Sequence, residues 1–282
     1  MNTIILATDF SRIANNATHY AAALAQQFDA RLVLFNAFNL PVHAANTLLP
    51  AAKIQELINH NQEKLKQAAT LMSNSYGIAT AYESNFCFME EELSKLVSKY
   101  KADLVVFGMA SKTFEQDLLG NNTTMAIRKM GFPVLAVPMG AKFAGIKNIL
   151  FACDVLKGIP KKILSHIKEM AAELESKVEV FFVDEKIAEL KTNYPRQIAE
   201  EFIQDGLDGI TYSHKSVKSN TVIREIEKEI VAYQADLLIM VPRKYGFWAS
   251  IVHKSKTRMM ASGLNIPLLS IPVDLDKGYI GS

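Results

Sequence analysis

Two kinds of hydrophobic pattern alternate along this chain. Short runs in which nearly every residue is apolar occupy residues 3–8, 31–36, 103–107 and 133–137, with a weaker one near 77–82. Bounded by turn-forming residues, such runs read as strands buried on both faces. Between them, apolar residues recur at three- and four-residue steps: Ala14, Ala17, Ala21, Leu24 and Phe28 after Ser11, then Ile54, Leu57, Ile58, Leu65, Ala68 and Met72 within residues 51–73, then Leu93, Leu96 and Val97 before Tyr100. That spacing gathers them on one side of a helix. Ser11 is the expected N-cap of the first helix, and Glu90, Glu91 and Glu92 fall in the first turn of the third, where carboxylates complement the helix dipole. Strand and helix in alternation imply right-handed crossovers and an α/β domain: a doubly wound, mainly parallel, five-stranded sheet with helices on both faces. Ligands of such sheets bind beyond the carboxyl ends of the strands, where neighbouring crossovers diverge, which directs attention to Asp9, Asn36 and Gly108.

The same order of landmarks then returns. Ile4-Ile5-Leu6-Ala7-Thr8-Asp9 is matched by Ile149-Leu150-Phe151-Ala152-Cys153-Asp154, about 145 positions later. Tyr100-Lys101-Ala102-Asp103-Leu104 is matched by Tyr233-Gln234-Ala235-Asp236-Leu237, and Phe132-Pro133-Val134-Leu135 by Ile266-Pro267-Leu268-Leu269. A repeat of this length is the size of a self-sufficient domain, far longer than a solenoid unit. Two copies of one fold are expected, over residues 1–141 and 146–282, joined by a short linker with Gly140 and Gly145.

Composition narrows the function classes. With 49% hydrophobic and 21% charged residues the chain forms cores, and a net charge of +2 argues against an electrostatic nucleic-acid surface. No apolar stretch approaches the ~18 residues of a membrane span, and the first residues lack a signal-peptide pattern, so neither a membrane nor a nucleic acid is expected as partner and a cytoplasmic location is. Cys87 and Cys153 fall in different repeats without metal or dithiol spacing, and are expected to be buried apolar thiols.

Gly108-Met109-Ala110-Ser111 through Gly120-Asn121-Asn122-Thr123 links the end of the fourth strand to the last helix of the first copy. Glycines let backbone amides approach phosphate oxygens, a helix N-terminus adds positive partial charge, and hydroxyl or amide side chains donate further hydrogen bonds. With this loop, the opening strand ending in Thr8-Asp9 and the proline-led last strand, the chain resembles the universal stress protein family, as a tandem member over nearly its whole length. The resemblance implies the adenine nucleotide alpha hydrolase-like form of the wound fold. It also implies a site for ATP or another adenine nucleotide in the first copy, built from Ala7, Thr8, Asp9, Asn36, Gly108, Ala110, Ser111, Gly120, Asn121, Asn122 and Thr123. The family's binding members carry Gly, two residues, Gly, nine residues, then Gly and Ser or Thr. Here Ser111 replaces the second glycine, Asn121 replaces the Ser or Thr, and the spacer is one residue short. On residue chemistry alone Asp9 has two readings, a ligand for the nucleoside end or a cap for the following helix.

In the second copy Val241, Lys244 and Lys254 stand where the glycines belong, with Ser255 retained; side chains there crowd a phosphate cradle, so loss of the nucleotide is expected. Arg243, Lys244, Lys254, Lys256 and Arg258 read either as an anion site or as a solvated basic face. Phe247, Trp248, Ile251 and Val252 between them read as a short amphipathic helix or a docking patch. No nucleophile elbow, zinc-binding helix motif or lysine-containing phosphate loop occurs. These features favour a non-catalytic stress-response adaptor over an enzyme, with a nucleotide-free interaction module and a nucleotide-dependent switch or weak ATPase as alternatives. Protein partners are not legible. The resemblance implies pairing of the last strands, residues 134–137 with 268–271, as an intramolecular pseudo-dimer, and leaves a homodimer open.

Overall fold

β1 (Thr3–Ala7) is buried along its whole length, so it needs apolar cover on both faces and a strand on each side. It pairs in parallel with β2 (Arg31–Ala37) and with β4 (Leu104–Met109). Parallel pairing continues outward from β2 to β3 (Thr80–Asn85) and from β4 to β5 (Val134–Pro138), giving the order β3-β2-β1-β4-β5. These elements belong to a computed structural model that describes all residues except 38–50, 86–88, 110–122, 124, 128–129, 154–158, 185–193, 220, 243–264 and 274–282. The described residues form two compact units, one running to Lys142 and the other starting at Phe143.

In the first unit the crossovers are α1 (Arg12–Gln27), α2 (Ala51–Tyr76) and α3 (Met89–Tyr100). Adjacent residues of a strand point to opposite faces, and β3 uses both: Ser84 accepts a hydrogen bond from Asn61 of α2, while Glu83 meets Lys99 and Tyr100 of α3. Helices therefore cover both faces of the sheet. Ser11 caps α1 as expected, its Oγ accepting from the Ala14 amide at 3.2 Å, and the small buried residues Ala14, Ala17, Ala21 and Ala25 let this helix lie close to the sheet. Glu90, Glu91 and Glu92 stand in the first turn of α3.

Three expectations need correction. The third strand starts later than residue 77, because α2 continues to Tyr76 and Gly77, at φ 66°, ends it in the left-handed conformation that glycine adopts without strain. Leu57 is 40% exposed; the buried stripe of α2 runs through Leu65, Ala69 and Met72. Cys153 is half-buried at the carboxyl end of its strand, and Cys87 lies outside the described residues.

The second unit repeats the arrangement. β6 (Asn148–Ala152) pairs in parallel with β7 (Lys177–Asp184) and β9 (Leu237–Met240), β7 with β8 (Tyr212–Lys218), and β9 with β10 (Leu268–Ser270). Its order, β10-β9-β6-β7-β8, is that of the first unit, and its described crossovers are α4 (Lys161–Glu173), α5 (Tyr194–Leu207) and α6 (Val222–Ala232). Gly206 brings α5 against α4: a Cβ there would lie 2.6 Å from Cδ1 of Leu164. The correspondence reaches the backbone, since Asp29 and Glu175 (φ 48° and 52°) and Lys101 and Gln234 (φ 48° and 53°) adopt the left-handed conformation at matching helix-to-strand turns. Among the described residues no helix is long and apolar enough to cross a membrane.

Candidate functional site

The strand order reverses direction at β1 and β4, and the carboxyl ends of these two strands form the topological switch point of the first unit. Ala7, the last residue of β1, and Thr8 are buried, at 6% and 4% exposure, whereas Asp9 is exposed. The turn after β1 is built by side chains. Thr8 continues the ladder through its amide to the Phe35 carbonyl at 2.8 Å, its Oγ1 accepts from the Phe10 amide at 3.1 Å, and Asp9 Oδ1 accepts from the Ser11 amide at 2.9 Å. Between them Phe10 is held at φ 61°, a conformation that costs a bulky residue of order 1 kcal/mol or more. Its ring lies under Nζ of Lys64, 4.2 Å from the centroid. Asp9 is therefore not the helix cap. It stands two residues before the cap, supports the turn with one oxygen, and its second oxygen has no hydrogen bond among the described residues.

Asn36 is buried at 4% exposure near the end of β2. Its amide donates to the Thr8 carbonyl at 2.6 Å and its Oδ1 accepts from Asn61 at 2.7 Å, while Asn61 also donates to Ser84 at 2.8 Å. The ladder Thr8, Asn36, Asn61, Ser84 ties the ends of β1, β2, α2 and β3 together beneath the turn. Asn36 acts here as a brace whose polar atoms are already engaged. Asn61 and Ser84 escaped the sequence reading, although Asn61 carried a signal: it is the polar break between Ile58 and Leu65 in the apolar stripe of α2.

Gly108 lies in β4 opposite Val137 of β5. A Cβ at this position would stand 2.8 Å from the backbone oxygen of Ile13, 2.8 Å from its Cγ2 and 2.9 Å from its carbonyl carbon. Glycine is needed here so that the first turn of α1 can rest on the strand, which brings the amino end of α1 over the switch point. Thr123 is helical and buried at 3% exposure. Ala110, Ser111, Gly120, Asn121 and Asn122 lie outside the described residues, as do Asp154 and the basic and aromatic cluster of 243–258. No group of three or more His, Cys, Asp or Glu among the described residues is placed to hold a metal ion.

The wound parallel sheet, with an acid after its first strand and a glycine near the end of its fourth, places Asp9 and Gly108 at the switch point, the place where open α/β sheets as a class bind ligands. Comparison with known proteins gives the family. Residues 1–138 match the model of the universal stress protein family, and a universal stress protein of Methanocaldococcus jannaschii is 30% identical over 140 residues, 48% of this chain and 80% of that protein. The chain belongs to the universal stress protein family. Solved structures extend the likeness of fold across both units. A universal stress protein from Archaeoglobus fulgidus superposes with a TM-score of 0.73 at 17% identity, covering 96% of this chain and 98% of its own. A universal stress protein, described as putative, from Pseudomonas aeruginosa gives 0.57 at 14% identity, with 97% and 94% covered.

Proposed function

We propose that this chain is a non-catalytic stress-response adaptor of the universal stress protein type, whose first unit binds an adenine nucleotide at the carboxyl edge of β1 and β4 and whose second unit has lost that ligand. The observation that supports the reading best is Asp9. It is exposed at the switch point, on a turn held in a strained conformation by Thr8 and by its own Oδ1, with a second carboxylate oxygen unengaged by the described residues. Strain kept at the tip of a strand is characteristic of sites that hold a ligand, and a rigid carboxylate acceptor suits the hydroxyl and amino donors of a nucleoside. The glycine positions taken by Val241, Lys244 and Lys254 support loss of the ligand in the second unit.

The test is to denature the purified protein, identify any released nucleotide by mass spectrometry, and titrate ATP and AMP by calorimetry into wild type and Asp9→Asn. Asparagine keeps an acceptor for the Ser11 amide and replaces the other oxygen with a donor, so the fold stays intact while the ligand contact reverses. Affinity is expected to fall about tenfold, the ~1.4 kcal/mol of one hydrogen bond to a charged group. Unchanged affinity moves the site away from Asp9. No bound nucleotide and no heat at millimolar ATP turns the reading to a nucleotide-free interaction module, and phosphate released from bound ATP turns it to a hydrolysing switch.

A further inference from the structure

In the second unit an acid occupies a core strand. Glu179 lies in β7 with Leu150 of β6 and Ser213 of β8 as its register neighbours, is 8% exposed, and leaves Oε1 without a hydrogen-bond partner. Matching the ladders of the two units, Leu150 with Glu179 and Ile5 with Val33, places Val33 at the corresponding position, fully buried. The fold therefore accepts an apolar residue there and does not require the acid. Glu179 hydrogen-bonds Glu229 of α6, itself 5% exposed, and Glu229 forms an ion pair with Lys215 of β8. Two buried carboxyl groups thus adjoin, only Glu229 is paired with an ammonium, and a hydrogen bond between them requires that one keep its proton.

We propose that Glu179, Glu229 and Lys215 form a pH-sensitive latch that holds α6 on the outer strands β7 and β8 of the second unit. Glu229, joined to Lys215, carries the negative charge, and Glu179 carries the proton: burial first, then the charge and hydrogen bond of Glu229, push its carboxyl up to about 7, against a smaller opposing pull from Lys215. Among the described residues, groups face it from α6 and its C-cap and from β8 and β6. From α6 comes Glu229, and from its C-cap Tyr233, whose hydroxyl is pushed up to about 12 by burial and by the charges of Glu179 and Asp236 and so stays neutral. From β8 comes Lys215, whose ammonium is strengthened chiefly by its hydrogen bond to Glu229; β6 presents apolar Leu150. The folded value exceeds the ordinary 4.5, so the stability the proton confers is complete below 4.5 and is lost as pH rises through about 7. Above that point two negative charges adjoin in the core, one with an unmatched oxygen, and α6 gives way first because it carries one of them.

Amide hydrogen exchange on the full chain at pH 6 and pH 8.5, corrected for intrinsic base catalysis, tests this, with α3 of the first unit as internal reference. Protection of α6 is expected to fall about tenfold relative to α3 in wild type, and to show no such fall in Glu179→Gln or Glu179→Val. A carbon-13 titration of the side-chain carboxyl groups gives a direct readout that needs no altered fold: one resonance, missing from the Glu179→Gln spectrum, is expected to titrate near neutrality. A Glu179 resonance that titrates close to 4.5, or an equal loss of α6 protection in Glu179→Gln, overturns the latch.

Discussion

Gly108 shows how one missing atom can serve packing and site at once. Its Cα hydrogen faces the backbone of Ile13, and two of the three atoms a Cβ would strike are main-chain atoms that cannot rotate away. Gly108→Ala is therefore expected to destabilise the first unit by about 1–3 kcal/mol, as overpacking does, with a proportionate drop in the urea midpoint. Any loss of ligand binding in Gly108→Val would report this displacement of α1, which makes Asp9→Asn the cleaner probe of the site. The sequence marked Thr8, Asp9 and Asn36 as residues at strand ends but could not assign their work. The hydrogen bonds of Thr8 and Asp9 are local, two residues ahead, and depend on the left-handed backbone of Phe10, which no residue preference announces. Asn36 depends on Asn61, whose approach is set by the packing of α2.

At the scale of elements, the central strands were readable because burial on both faces leaves no room for polar residues, and β1, β4 and β5 are apolar runs. The outermost strand of the first unit was legible only as a weak run near 77–82, which overlaps β3 at its start. β3 is half-buried except at Tyr82, which is exposed, and carries Glu83, Ser84 and Asn85, so its pattern is set by the helices it meets rather than by a core. Its acid, Glu83, ties it to α3. Burial alone would raise the Glu83 carboxyl, but hydrogen bonds from Lys99 and Tyr100 outweigh it and hold the group below its ordinary 4.5. Stability from this contact is thus present above 4.5 and lost as pH falls through the lowered folded value. Urea unfolding is expected to show Glu83→Gln less stable than wild type at pH 7, with the difference closing below pH 4. Tyr100→Phe, which removes one donor to the same carboxylate at 2.6 Å, is expected to cost about 1 kcal/mol at pH 7.

Across the whole molecule, the repeat read from sequence landmarks corresponds to a repeated physical device, and Asp103 and Asp236 show what it is for. Asp103 Oδ2 accepts from the amides of Asn2 and Thr3 at 2.6 and 3.0 Å, and Asp236 Oδ2 accepts from those of Lys147 and Asn148 at 2.8 and 2.9 Å. Each aspartate closes the amino-terminal edge of its own sheet, joining the start of the first strand of that unit to the start of the fourth, so it was a landmark of the fold and not of the ligand. Both contacts lie wholly within one unit. The two substitutions Asp103→Ala and Asp236→Ala should therefore act separately: each removes two charge-assisted hydrogen bonds and is expected to cost about 2 kcal/mol in its own unit. Hydrogen exchange followed by mass spectrometry should show faster exchange in β1, β2 and β4 for the first variant and in β6, β7 and β9 for the second. In the double variant the effects should add within about 0.5 kcal/mol, as they do for sites without shared partners. Exchange that spreads through both units from a single substitution would mean that the duplicated sheets unfold as one cooperative body, and stability could then not be assigned to either half alone.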